Sequence, residues 1–323
     1  TFRKSSCIII LSKMETGIKI GLLFLLFTST AFSQQIKKDL PNIIYIYADD
    51  LGYGELGCYG QQKIKTPNLD RMAAEGIRFL QHYSSAPVCA PSRAMLMTGK
   101  HAGHSYIRGN YELGGFADSA ERGQMPLPSE AFTVADLLKQ KGYKTALVGK
   151  WGLGMGNTEG SPLKHGFDYY YGYLDQKQAH NFYPTHLWEN DKWDALNQPF
   201  INVHKKLDSA NVIDADFDYF KGKDYAPALM TGKALHFIDK NKSNPFFLYL
   251  PYTIPHASLQ APDDWINKYV GQFDEKPYYG QQGYASVKYP LSAYAAMITY
   301  LDAQVGIIME KIKQLGLDEN TLI

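Results

Sequence analysis

Short runs that are apolar at almost every position recur along this chain, and stretches with helical periodicity lie between them. Four such runs predict buried strands: NIIYIYA at 42–48, KTALVG at 144–149, PFFLYLP at 245–251 and NTLI at 320–323. A strand with no polar side suits a parallel sheet that is covered on both faces. The fold predicted is therefore α/β, with a mostly parallel central sheet and helices on both faces.

Amphipathic stretches predict three of the covering helices, at 66–76, at 133–142 and from about 291 to 316. The first two begin with a threonine and end with a glycine, as helix capping favours. Residues 101–128 and 160–225 fit neither the strand nor the helix pattern. We interpret both as excursions around a site rather than as linkers.

Composition excludes several classes of protein. With 323 residues, of which 45% are hydrophobic and 20% charged, the chain is long enough for one large core. The net charge is only +1 and the sequence has no basic runs, so nothing in the charge pattern predicts nucleic-acid binding. The three cysteines, Cys7, Cys58 and Cys89, are too few for a disulfide framework.

The N-terminal segment has the plan of an exported protein. Residues 1–13 are interpreted as an over-extended gene start, and residues 14–33 as a signal peptide cleaved after Ser33. The apolar run IGLLFLLFTSTAF is short for a membrane span, so we expect no stable span after cleavage; an uncleaved anchor is the alternative. The expected location is the periplasm or the extracellular medium.

Polar residues follow the predicted strands directly. Asp49 and Asp50 end the first, Lys150 ends the second, and the third leads to His256. In parallel α/β sheets the ligand lies outside the carboxyl ends of the strands. Paired carboxylates suit a hard divalent cation, and a lysine and a histidine suit an anionic group and proton transfer. The alternatives are a turn at the two aspartates and a solvated strand end at Lys150.

Cys89 lies in the segment APVCAPSRAMLMTG, where the sequence predicts the start of a helix. A helix N-terminus can lower the pKa of a thiol and make it nucleophilic, whereas a free cysteine is usually a small buried residue. Neither interpretation accounts for the neighbouring Pro91, Ser92 and Arg93.

The segment CAPSR at 89–93 matches the C-x-P-S-R signature of the formylglycine-dependent (type I) sulfatases. Further blocks match that family in order: PNIIYIYADDLGYGELGCYG, TPNLDRMAAEGIRF, LMTGK, GYKTALVGKWGLG and PFFLYLPYTIPHASLQAP. From Pro41 to Ile323 the chain therefore resembles these arylsulfatase-like enzymes. The resemblance implies the fold of the alkaline phosphatase superfamily.

The resemblance implies a nucleophile and a metal. A formylglycine-generating enzyme or an anaerobic sulfatase-maturating enzyme would oxidise Cys89 to formylglycine, whose hydrate attacks sulfur. Asp49, Asp50 and the modified residue 89 would bind Ca²⁺, with Mg²⁺ as the lesser alternative. Arg93 would stabilise the hydrate, Lys150 would bind the sulfate, and His256 would contact the sulfate and protonate the leaving alkoxide. The alternative for His256 is a loop histidine bonded to the backbone.

Two features depart from the family pattern. Lys-Trp-His is common after the second strand, but Gly152 stands at the third position here. His180 and His186, in QAHNFYPTH, are the favoured candidates for substrate contacts and for the missing imidazole, with His101 and His104 as alternatives. A surface residue is the other interpretation of each of the four. The family's Asp-Asn metal ligands and its second lysine normally follow NTLI. We therefore expect residues 34–323 to be a catalytic domain truncated at its C-terminal end and inactive by itself.

The expected substrate is a sulfated carbohydrate, because export and a high aromatic content favour one. The stretch FDYYYGY at 167–173, with Trp188 and Trp193, would form either sugar-stacking surfaces or core packing. Cys58 is expected to pack as a small apolar residue, and a disulfide with Cys89 would contradict the sulfatase interpretation. Two other functions stay open: a phosphatase or phosphonate hydrolase of the same superfamily, and a catalytically inactive glycan-binding relative.

Overall fold

One seven-stranded sheet organises the part of the chain that the computed structural model describes, residues 40–323. Its strands are β1 (Asn42–Asp49), β2 (Lys144–Lys150), β3 (Tyr169–Tyr173), β4 (His186–Glu189), β5 (Lys192–Ala195), β6 (Phe246–Pro255) and β7 (Thr321–Leu322). Their order in the sheet is β5-β4-β3-β2-β6-β1-β7. The predictions for residues 1–13 and 14–33 lie outside the described residues.

The sheet is mostly parallel, as predicted. β3, β2, β6, β1 and β7 run in one direction, whereas β4 and β5 form an antiparallel hairpin beside β3. The four strands expected from the sequence are β1, β2, β6 and β7. All four carry their carboxyl ends at the same edge of the sheet.

Six α-helices are present among the described residues. They are α1 (Pro67–Glu75), α2 (Cys89–Thr98), α3 (Val134–Gln140), α4 (Ala226–Asn241), α5 (Asp263–Ile266) and α6 (Pro290–Gln314). The three helices predicted from periodicity are α1, α3 and α6, and α2 begins at Cys89 as expected. Sequence analysis missed α4, although its buried Met230, Ala234 and Ile238 recur every four residues.

Alternation along the strands produces two cores. Successive side chains of a strand point to opposite faces of the sheet. Val148 and Leu248 belong to a hydrophobic cluster that also buries α4 and α6. Their chain neighbours Leu147 and Tyr249 belong to a second cluster, which buries α2 and α3. The prediction of helices on both faces is confirmed.

Residues 160–225, which fit neither pattern in the sequence, contain the strands β3, β4 and β5. These strands were missed because tyrosines and charged residues interrupt the apolar pattern. Tyr170, Tyr171 and Tyr173 are buried in the cores, so core packing accounts for the aromatic stretch at 167–173. The Tyr171 hydroxyl donates to Asp194 on β5 at 2.8 Å, which satisfies its polar end.

Helix α6 combines unusual length with an apolar composition. Among the described helices, only α6 is long enough and apolar enough to cross a membrane, judged by length and composition alone. Two thirds of its most apolar window is buried inside the protein. Burial of Ala295, Ile298, Leu301, Val305 and Ile308 against the sheet accounts for that composition.

Asp168 joins α3 to the start of β2 and β3. Its carboxylate lies 2.8 Å from Lys139 Nζ and accepts hydrogen bonds from the Thr145 backbone N–H and hydroxyl at 3.1 and 3.2 Å. Burial by itself would raise the pKa of the Asp168 carboxyl, but the hydrogen bonds from Lys139 and Thr145 outweigh burial and lower it. A lowered pKa in the folded state stabilises the fold above the ordinary carboxyl pKa, and this stabilisation is lost as the pH falls.

We therefore expect Asp168→Asn to lower the free energy of unfolding at pH 7 by about 1 kcal/mol, a modest value because solvent screens this partly exposed pair. The difference from wild type should shrink as the pH falls below about 4, because the wild-type carboxylate then becomes protonated. Urea unfolding at pH 7 and at acid pH measures both values. The exposed Asp191→Asn serves as the control, and a difference that does not depend on pH would contradict the assignment.

Candidate active site

Three residues predicted from the sequence meet at the carboxyl edge of the sheet. Asp49 ends β1, Lys150 ends β2, and His256 directly follows β6, which lies between those two strands. Lys150 Nζ lies 2.8 Å from Asp49 Oδ2. Lys150 is only 1% exposed, which rules out the alternative of a solvated strand end.

The N-terminal turn of α2 faces the same residues. Cys89 is the first residue of this helix, preceded by Val88 in an extended conformation, and Pro91 lies in the first turn, where a proline costs no hydrogen bond. The Ala90 backbone N–H donates to Asn110 Oδ1 at 3.0 Å. Lys150 Nζ lies 3.4 Å from Cys89 Sγ. The helix therefore presents Cys89 to the lysine.

Arg93 lies one turn later on α2 and is as buried as Lys150. Its Nη1 donates to the Lys150 carbonyl at 2.5 Å, and its Nη2 lies 3.4 Å from Asp49 Oδ2. The guanidinium also lies over the Tyr47 ring at 5.6 Å. These contacts join α2 to the ends of β1 and β2.

Charge pairing keeps all three buried groups ionised. Burial would raise the pKa of the Asp49 carboxyl, but the charges of Lys150 and Arg93 outweigh it and hold that pKa well below its usual range. Burial would lower the pKa of Lys150 and of Arg93, but the Asp49 carboxylate raises both. The more exposed carboxylate of Asp50 lines the same pocket as Cys89. The group beside Cys89 that can bind an anion is therefore the Lys150 ammonium.

The same edge offers ligands for a metal ion. Ligand atoms of Asp49, Cys89 and His256 lie within 4.8 Å of one another. Asp50 adopts a left-handed conformation with φ of 62°, and its Oδ2 lies 3.5 Å from His256 Nε2. Adjacent carboxylates fit a hard divalent cation, whereas the soft sulfur of Cys89 does not. The carboxylate oxygens of Asp49 and Asp50 therefore fit Ca²⁺ or Mg²⁺, and the thiol of Cys89 as it stands does not.

His180 lies beside His256. The two imidazole rings are stacked with centroids 5.2 Å apart and an interplanar angle of 18°. Burial, together with the neighbouring charges of Lys150 and His256, lowers the pKa of His180 to about 3. Its Nδ1 is buried and has no hydrogen-bond partner among the described residues. His180 is therefore a neutral imidazole next to the predicted site.

The other candidate histidines lie in different surroundings. His186 on β4 is buried, with Nε2 3.2 Å from the Glu121 carboxylate and Nδ1 3.2 Å from the Thr185 hydroxyl. Both of its ring nitrogens therefore already have protein partners. His101 and His104 are exposed on the loop after α2, with their rings 4.8 Å apart.

Gly152 lies two residues after the end of β2, in a left-handed conformation with φ of 70°. A Cβ atom at this position would lie 2.5–2.8 Å from the side chain of Gln176. Gln176 Nε2 donates to the Gly152 carbonyl at 3.1 Å, and the Gln176 side chain is buried. Gln176 thus occupies the space that a side chain at position 152 would need.

Sequence reasoning missed Asn110 and Gln176. Both lie in segments interpreted as excursions, and only the tertiary structure shows that Asn110 binds the start of α2 and that Gln176 packs on Gly152. Cys58 was expected to pack as an apolar residue. It is a half-buried free thiol whose backbone N–H donates to Asp70, and Cys89 is free as well.

Comparison with known proteins identifies the family. The family model for sulfatases matches residues 41–323. The chain belongs to the sulfatase family. This confirms the resemblance inferred from the motifs, and the seven-stranded α/β architecture agrees with the alkaline phosphatase-like fold of these proteins.

Relatives of this sulfatase-family chain include bacterial and mammalian proteins. It is 30% identical to an arylsulfatase of Klebsiella aerogenes, over 89% of the chain and 65% of the relative. It is 32% identical to the N-acetylgalactosamine-6-sulfatase of Mus musculus, over 88% of the chain and 49% of the relative. The crystal structure of Ps i-CgsB superposes with a TM-score of 0.68 at 30% identity, over 88% of this chain and 57% of that one. The chain thus spans less than two thirds of the length of these relatives.

We expect that restoring a side chain at position 152 of this sulfatase-family protein will destabilise it. Gly152→Ala should cost about 1–3 kcal/mol, because the new Cβ overlaps Gln176 and a left-handed backbone disfavours a side chain. Gln176→Ala in the same chain should recover part of that loss, since it removes the overlap but not the backbone strain. Chemical unfolding of the two single variants and the double variant measures the coupling; strictly additive losses would contradict this packing.

Proposed function

We propose that this protein hydrolyses sulfate esters at the edge where β1, β2 and α2 meet. The observation that carries the proposal is the position of Cys89, with its sulfur 3.4 Å from the buried Lys150 ammonium and close to the Asp49 carboxylate. The sulfatase names of its relatives support this reaction. Export to the periplasm or medium after cleavage at Ser33 is part of the same proposal.

Cys89 would be converted to formylglycine before the protein becomes active. The conversion is a two-electron oxidation in which the aldehyde oxygen replaces sulfur and the sulfur leaves as sulfide. A maturation enzyme of the formylglycine-generating or the anaerobic sulfatase-maturating class, with its own electron acceptor, would carry it out. A free thiol in CAPSR at the start of α2 supports it. The hydrated aldehyde then supplies one hydroxyl to attack sulfur and a second whose deprotonation expels sulfate as the aldehyde re-forms.

The residues around position 89 would each perform one task in the reaction. Lys150 binds the sulfate oxygens, and Arg93 stabilises the hydrate from within the same helix. His256 donates a proton to the oxygen of the departing alcohol, which would otherwise leave as an unstable alkoxide. Over a complete cycle the sulfate ester and one water molecule become an alcohol and sulfate.

Asp49, Asp50 and the oxygens of the modified residue 89 would hold Ca²⁺, with Mg²⁺ as the alternative. Such a cation supplies Lewis-acid stabilisation of charge on the sulfate oxygens. The contribution of the protein is to keep Asp49 ionised, through Lys150 and Arg93, at any physiological pH.

The substrate class that we propose is a sulfated glycan. Ps i-CgsB has been crystallised with k-i-k-neocarrahexaose, and the mouse relative is named as an N-acetylgalactosamine-6-sulfatase. Human steryl-sulfatase is 44% identical to this chain but over only 48% of it, and 27% of its own length. The relative with a carbohydrate name matches 88% of the chain, which favours a sulfated glycan over a steroid sulfate.

His180 is the residue that we propose for a direct substrate contact beside His256. Its ring stacks on His256 with centroids 5.2 Å apart, and its Nδ1 has no hydrogen-bond partner among the described residues. His186 has no such free nitrogen, and its contribution is considered below.

An inactive glycan-binding relative is the second candidate function, and Gly152 is the observation that favours it. The Gln176 side chain fills the space beside Gly152, so position 152 has no room for an imidazole. Turnover by the matured protein in its natural full length separates the two functions, because only the enzyme releases sulfate.

The first activity prediction concerns the nucleophile. The matured full-length protein should release sulfate from 4-nitrophenyl sulfate and much less phosphate from 4-nitrophenyl phosphate. Cys89→Ser should lower turnover by about a thousandfold or more, since a serine ester has no second hydroxyl to expel sulfate. Peptide mass analysis should find sulfate retained on the serine of this variant. A preference for the phosphate ester would favour the phosphatase alternative.

The second activity prediction concerns His256. His256→Ala should lower kcat about 10²–10⁴-fold for a sugar sulfate, whose alkoxide needs a proton. The loss should be far smaller for 4-nitrophenyl sulfate, because nitrophenolate leaves without protonation. Initial rates with both substrates measure the contrast. Equal losses on the two would mean that His256 does not act as the general acid.

A further inference from the structure

Trp193 presents one flat ring face to solvent. It lies on β5, the outer strand of the hairpin, and is 56% exposed. Its other ring face is covered by His186, with centroids 3.8 Å apart and an interplanar angle of 19°. The edge of Trp188 packs nearby, with the rings at 85°. The exposed area of Trp193 is therefore the ring face that points away from His186.

The surroundings of His186 hold this ring in place. The buried Glu121 carboxylate accepts from His186 Nε2 at 3.2 Å and from Trp188 Nε1 at 3.0 Å. The Thr185 hydroxyl binds the second ring nitrogen of His186. Because His186 is fixed at both nitrogens, the indole stacked on it loses little further freedom when a ligand binds.

Strand register relates Trp193 to the active site. Gly149, next to Lys150, pairs with Gly172; Gly172 pairs with Trp188; and Trp188 pairs with Trp193. Three steps between adjacent strands amount to about 14 Å. A single sugar ring cannot reach from one end of this row to the other, but an oligosaccharide can.

The exposed ring also lies on the appropriate face of the sheet. Trp188 packs against the core cluster that contains Ala90 and Ala94 of α2, the helix that begins with Cys89. Directly opposed residues of an antiparallel pair share a face, so Trp193 lies on that side too. The hairpin therefore continues the surface that borders Cys89.

Charge on the hairpin is compatible with a polyanion. Glu189 and Asp194 alternate with the tryptophans and point to the opposite face, where Glu189 is bound by Lys233 at 2.6 Å and Asp194 by Tyr171 at 2.8 Å. Glu121 is buried under three hydrogen bonds. No strand carboxylate of the described hairpin shares the exposed face of Trp193.

We propose that Trp193 is a sugar-stacking platform for a sulfated oligosaccharide whose reacting sulfate ester lies beside Cys89. The C–H face of a pyranose ring packs on the indole, as apolar surfaces do on aromatic rings. The substrate is consequently an oligosaccharide or polysaccharide chain rather than a monosaccharide sulfate. The proposal rests on the proposed sulfatase function and extends it to substrate length.

The test compares Trp193→Ala, Trp193→Phe and wild type in the matured full-length protein. Carrageenan and chondroitin sulfate hexasaccharides are the long probes, the matching disaccharides are the short ones, and 4-nitrophenyl sulfate is the minimal substrate. Ile307→Ala, an exposed apolar residue of α6 on the other side of the sheet, is the matched control. Affinity electrophoresis in gels that contain each polysaccharide reports binding without turnover.

We expect wild type to prefer a hexasaccharide to the matching disaccharide. Trp193→Ala should raise KM for the hexasaccharide about three- to tenfold, the range of a lost aromatic stacking contact, with kcat unchanged. Its kinetics with 4-nitrophenyl sulfate should equal those of wild type, and Trp193→Phe should restore part of the preference. The control variant should behave as wild type.

Three results would overturn the platform: no length preference in wild type, no change in Trp193→Ala, or an equal loss on hexasaccharide and 4-nitrophenyl sulfate, which indicates a structural role. Absence of all sulfate release from wild type would instead refute the proposed function. In that case affinity electrophoresis decides. If a polysaccharide retards wild type and the Trp193→Ala variant is no longer retarded, the platform is supported; if both are retarded equally, it is refuted.

Discussion

The buried carboxylate of Asp49 is the interaction on which the site depends. It binds Lys150 from β2 and Arg93 from α2, and thereby fixes the ends of two strands and one helix to each other. Removing one partner of such a buried group typically costs about 3–5 kcal/mol, because the remaining charge is left without compensation. Cys89 lies one helical turn before Arg93, so its place beside Lys150 follows from the same contacts.

The parallel sheet explains why distant segments of sequence converge here. β6 lies between β1 and β2, and the last residues of β1 and β2 and the residue after β6 lie at one edge of the sheet. An edge of this kind collects charged groups because the chain leaves the core there, and burial under α2 then strengthens their interactions. The antiparallel hairpin extends the sheet beyond β3, which places Trp193 outside the cluster around Asp49 yet on the same face of the sheet as α2.

Much of this arrangement could be predicted from local patterns. Apolar runs identified β1, β2 and β6, capping residues identified α3, and the residues that follow the strands identified Asp49, Lys150 and His256. β3 to β5 could not be found in this way, since their tyrosines and charges are satisfied by partners distant in sequence, such as Asp194 for Tyr171. The packing of Gln176 on Gly152 was equally hidden, because it depends on the backbone conformation of the glycine. Local sequence thus predicted most of the buried strands and helices; it missed α4 despite its regular apolar spacing, and it missed β3 to β5, whose polar groups find partners only in the tertiary structure.

The most direct test of the central claim is the mass of the tryptic peptide that contains Cys89. The protein in its natural full length would be produced together with a competent maturation enzyme and a control substrate of that enzyme. The account predicts that the thiol of Cys89 is replaced by an aldehyde. An unmodified thiol at Cys89, alongside full conversion of the control, would contradict the proposal that this site carries a formylglycine nucleophile.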